Sequence, residues 1–146
     1  MARYAHAVFC DDVRQEVGGK ITLVGMYAGQ CLVPAIPCSL PKLCMALSIS
    51  ATRANPIQSV SVTGAFAGSE VLNMTLDKDQ IDGIMTPIFS AKPEGKNMMI
   101  FLMAVMAPFN VSTEGKLTIT VTADGEEMYC EGLEISLAAP GTTFGF

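Results

Sequence analysis

Eight apolar residues in a row, Met98-Met99-Ile100-Phe101-Leu102-Met103-Ala104-Val105, constrain this chain more than any other stretch. At the two-residue repeat of a strand, Met98, Ile100, Leu102 and Ala104 face one way, and Met99, Phe101, Met103 and Val105 face the other. A strand that is apolar on both faces must be covered on both. The stretch is therefore expected at the centre of a β-sheet, its second face against another sheet, a loop or another subunit. With the two residues that follow, it is still far short of the ~20 that a helix needs to cross a bilayer.

The rest of the chain reads as short strands between turn signals. Tyr4 to Cys10 and Lys20 to Tyr27 are expected to be strands, joined by the polar turn Asp11 to Gly19 with its paired glycines. Pro34, Pro37 and Pro41 make Ala28 to Lys42 a crossing loop or an edge, because proline cannot donate to a ladder. Leu43–Thr52, Ser59–Ala67 and Glu70–Leu76 follow as strands. Asp77 to Gly83 is one helical turn, and Ile84 to Ala91 is an edge strand interrupted by Pro87. Leu117, Ile119 and Val121 alternate with Thr118, Thr120 and Thr122, then Asp124-Gly125 marks a hairpin returning through Leu137. Spacing of this kind predicts an all-β antiparallel sandwich of about seven to nine strands in one domain, residues 1–137.

Charge and cysteine usage narrow the function classes. A net charge of −5 with scattered Lys and Arg excludes a nucleic-acid-binding face. The N-terminus has no secretory signal, and five cysteines without a Cys-x-x-Cys pair point to a reducing, cytoplasmic setting. Only 16% of residues are charged, so part of the surface is expected to be hidden in an assembly.

Few residues promise chemistry. His6, the one histidine, stands four residues from Cys10, roughly 13 Å along a strand, which is too far for a nucleophile and its base. No cysteine pair has zinc spacing, and Asp77, Asp79 and Asp82 lack the glutamate that closes a calcium loop. No cofactor, metal or catalytic residue is expected. Asp11, Asp12, Arg14 and Glu16 form the densest charged group, read either as a binding edge or as a solvated turn. The three acids of that group, Asp11, Asp12 and Glu16, are a poor start for a cation site beside an arginine.

Two segments resemble a family. Cys10-Asp11 followed by Glu16-Val17-Gly18-Gly19-Lys20-Ile21-Thr22-Leu23-Val24-Gly25-Met26-Tyr27 is similar to the opening of an uncharacterised bacterial and phage family. Glu114 to Glu126 is similar to its closing hairpin, where an aromatic more often stands at the position of Leu117. The resemblance implies an immunoglobulin-like sandwich and supplies no activity. The glycines precede a strand and lack Walker spacing, so they are no phosphate loop.

The leading expectation is a non-catalytic protein that associates with its own copies or with other subunits of a larger particle, such as a phage virion. Met99, Phe101 and Met103 are the candidate interface on the apolar strand. Residues 138–146 are a tail, or an arm that docks Phe144 and Phe146 on a neighbour. The competing expectation is an accessory small-molecule- or peptide-binding module using the loops Ala28–Lys42 and Asp11–Gly19.

Overall fold

The computed structural model of the protein describes residues 3–142. Twelve strands and one helix follow in order among them: β1 Tyr4–Gln15, β2 Ile21–Tyr27, β3 Gln30–Val33, β4 Cys38–Leu40, β5 Leu43–Thr52, β6 Val60–Phe66, β7 Ser69–Leu76, α1 Lys78–Ala91, β8 Asn97–Met106, β9 Phe109–Val111, β10 Gly115–Ala123, β11 Glu126–Met128 and β12 Leu133–Leu137. One sheet runs β2-β1-β5-β8. The other runs β3-β12-β10-β6-β7, with β11 on β10, and β4 pairs with β9 in a small ladder. All pairings are antiparallel except β3 with β12.

The inner faces of the two sheets share one core. Leu43, Met45, Leu47 and Ile49 of β5 and Ile100 of β8 are fully buried with Val62, Leu117, Val121, Leu133 and Ile135 of the facing sheet. Burial of this kind, at roughly 25 cal/mol per Å² of apolar surface, is what holds a sandwich together. Short ladders form even in the proline-bearing stretch, where β3 and β4 contribute to a count of twelve strands against the seven to nine expected.

The apolar run occupies β8, and β8 is an edge strand. Met98, Ile100, Leu102, Ala104 and Met106 point into the core, while Met99 and Val105 on the other side are 55% and 59% exposed. The strand buried on both faces is its neighbour β5, whose outer residues Cys44 and Ala46 are 1% and 6% exposed. The reason is geometric. A strand flanked on both sides borrows cover from its neighbours, and β5 is shielded by the larger side chains of β1 and β8.

The helical turn expected at Asp77–Gly83 does not stop there: Ile84–Ala91, expected as an edge strand, continues it, so that residues 77–91 are one unit. They form one helix, started by a capping box in which the Asp77 carboxylate accepts from the Gln80 N–H at 2.8 Å. The Gln80 side chain in turn accepts from the Asp77 N–H at 2.9 Å. Ile81, Met85 and Phe89, four apart, form the inward stripe, with Arg53 stacked 4.1 Å over the Phe89 ring. Pro87 lies within the helix, opposite the carbonyl of Gly83 one turn back.

Leu47→Ala should cost about 2–5 kcal/mol by urea unfolding, as a buried leucine does. Met99→Lys should change the stability of the isolated chain by less than about 0.5 kcal/mol, as open positions do. Equal losses would contradict the placement of β8 at an edge.

Candidate association surface

The outer face of the β2-β1-β5-β8 sheet is built in cross-strand rows. Met26, Cys10, Cys44 and Val105 form one row, Val8, Ala46 and Met103 the next, then His6, Ser48 and Phe101, then Tyr4, Ser50 and Met99. Small residues occupy the β5 column and larger apolar ones the flanks. Met26 at 61%, Tyr4 at 55% and Phe101 at 40% are exposed, and Met103 is half-buried. Apart from His6, these four rows carry no ionisable side chain other than thiols and a tyrosine.

Part of this face is covered by the chain itself. Strand β1 continues through Asp11, Asp12 and Arg14 to Gln15, so these residues stand on a strand and not in the expected turn. The β1–β2 register omits one step, where Asp11 faces Gly25. Gly25 has a φ of +67°, a region that favours glycine, and a Cβ there would collide with the Asp11 carboxylate. From this joint the hairpin bends back over β5. The Cys44 thiol donates to the Asp11 carbonyl at 3.7 Å and the Cys10 thiol to the Asp12 carbonyl at 3.3 Å. Burial raises the pKa of both thiols, reinforced for Cys10 by Cys44, so both rest as neutral, unreactive groups.

The charged residues of the hairpin take separate partners. Asp11 accepts from the Tyr27 hydroxyl at 2.5 Å. Asp12 pairs with Lys42 at 2.6 Å, a contact that lowers the Asp12 pKa and raises that of Lys42. Arg14 and Glu16 are exposed. No three His, Cys, Asp or Glu side chains among the described residues are placed to hold one metal ion. His6 Nδ1 meets the Glu131 carboxylate, a partner that sequence spacing could not reveal.

The hairpin tip faces β8 across a groove of about 500 Å³ lined by Gln15, Glu16, Gly19, Lys20, Ile21, Met74, Phe101, Leu102 and Met103. Of the expected interface, Met99, Phe101 and Met103 thus share one surface. Asp11 and Asp12 sit at the hairpin base, Glu16 at its tip, and Phe144 and Phe146 lie outside the described residues. Met26 and Met74 belong to the methionines that the sequence leaves open between ordinary core and a subunit interface, whereas Ile21 was not singled out.

Fold and surface together define an all-β sandwich with one strapped, partly open apolar sheet face. The chain matches the family of unknown function DUF6941 over residues 5–136 and belongs to it. No curated protein and no solved structure matches the chain. Among the described residues, no helix is long and apolar enough to cross a membrane.

Gly25→Ala should loosen the strap. Its cost should exceed about 1 kcal/mol, and Cys10 and Cys44 should react faster with a thiol reagent than in the parent protein. Unchanged labelling rates would contradict the role of the Asp11–Gly25 joint.

Proposed function

We propose that this protein is a non-catalytic β-sandwich that works by association, with its own copies or with other subunits of a larger assembly. The observation that carries the reading is the charge-free outward side of β5 and β8, open at Met99, Phe101 and Val105. Scattered exposed apolar residues are ordinary on any protein. Here Met99, Phe101 and Val105 follow one another along the outward side of one edge strand, with the half-buried Met103 between them. The outward residues of β5 and β8 carry no charged side chain, so two copies can meet along these two strands without like charges opposing across the contact.

Sedimentation of the full chain at roughly 10–100 μM should show species larger than one copy. The double variant Met99→Lys/Val105→Lys should keep its circular dichroism spectrum and associate at least about tenfold more weakly. A protein that stays a single copy across that range, in buffers with other subunits absent or present, would overturn the proposal.

A further inference from the structure

Cys10 and Cys44 stand directly opposite each other across the β1–β5 ladder, on the outer side of the sheet. Opposed residues of an antiparallel pair have Cα atoms about 4.5 or 5.5 Å apart, and a disulfide spans either distance. Among the described residues, no other ladder brings two cysteines into register: Cys31 stands opposite Ile135 and Cys38 opposite Val111. Both thiols of the pair are free and buried.

Their place in the fold matters as much as their spacing. Cys10–Cys44 is the last rung of the β1–β5 ladder, after which β1 leaves β5 and pairs with β2 alone. The strap over the outer face begins at that rung. Its first two carbonyls, those of Asp11 and Asp12, accept from the Cys44 and Cys10 thiols. Each of these bonds needs an S–H, and a disulfide has none. Joining the sulfurs therefore withdraws both donors and leaves two part-buried carbonyls unpaired, which favours their return to water.

We propose that Cys10 and Cys44 are a reversible dithiol–disulfide site, and that oxidation there releases the β1–β2 strap from the outer face of the sheet. The oxidant is a low-molecular-weight disulfide. When the strap lifts, water reaches the pair, and one thiol loses its proton and attacks a sulfur of the reagent. A mixed disulfide forms and one reagent thiolate leaves. The second protein thiol, deprotonated in turn, attacks the protein sulfur of that mixed disulfide. The Cys10–Cys44 bond forms and the second reagent thiolate departs. Two protein thiols are oxidised, one reagent disulfide is reduced to two thiols, and the leaving groups take up the two protons released. While the strap is closed the exchange is withheld, because burial keeps both thiols protonated. The joint at Asp11 and Gly25 that aims the strap thus also gates the reaction.

Oxidised glutathione, which leaves methionines untouched, is the probe for the full-length protein. The folded chain should become lighter by two hydrogens, peptide mapping should join Cys10 to Cys44, and dithiothreitol should reverse both changes. Carbene footprinting should then label Ile21 and Met103, which line the groove between the strap tip and β8, at least about threefold more than in the reduced protein. Cys10→Ser and Cys44→Ser each keep a hydroxyl donor, so neither should form the link or show the rise. Cys10→Ala and Cys44→Ala replace them if serine prevents folding. Gly25→Ala should form the link faster than the parent. The proposal is wrong if the folded parent forms no Cys10–Cys44 link or only holds glutathione on one of the two. It is equally wrong if the link forms while Ile21 and Met103 label as before, or if Gly25→Ala leaves its rate unchanged.

Discussion

The structure depends on the ladder that places β5 between β1 and β8. Ten residues of β5 pair with β8 and seven with β1, and this fixes which side chains reach the core. A slip of one residue would turn Leu43, Met45, Leu47 and Ile49 outward and bring Cys44, Ala46, Ser48 and Ser50 in. The register thus selects large residues for the space between the sheets and small ones for the outer face. Small outer residues in turn leave room for the β1–β2 hairpin to lie over them.

From that arrangement the candidate surface follows. The Asp11–Gly25 joint directs the hairpin back across Cys44, and the Tyr27 hydroxyl and Lys42 hold the two aspartates of the joint. The strap covers the start of β5 and reaches as far as Phe101 to Met103 without sealing them. A sheet face greasier than its surroundings and a free ladder edge come together at one place. Either feature by itself would say little about association.

Much of the β architecture was legible in the residues because alternation and turn chemistry are local. Leu117 to Val121, the Asp124-Gly125 turn and the strand at Tyr4–Cys10 all follow from patterns a few residues long, whereas the pairing of that strand with β5 is long-range and was not legible. Only the first turn of the helix, Asp77 to Gly83, was legible; Pro87 and the β-like run Ile84-Met85 masked its continuation to Ala91 despite the four-residue stripe of Ile81, Met85 and Phe89. The edge position of β8 was not legible at all. Apolarity on two faces says that a strand needs cover, not whether the cover comes from its own chain. Likewise, the Asp11-Asp12-Arg14-Glu16 group marked the right hairpin, while the salt bridge and hydrogen bond that separate its members depend on Lys42 and Tyr27, placed there only by the fold.

Amide hydrogen exchange of the full chain, followed across a dilution series, tests the central claim most directly. The account predicts that the β8 amides not bonded to β5 exchange rapidly in dilute solution and become protected as concentration rises, while those of β5 stay protected throughout. Uniform protection of β8 at every concentration, matching that of β5, would contradict it.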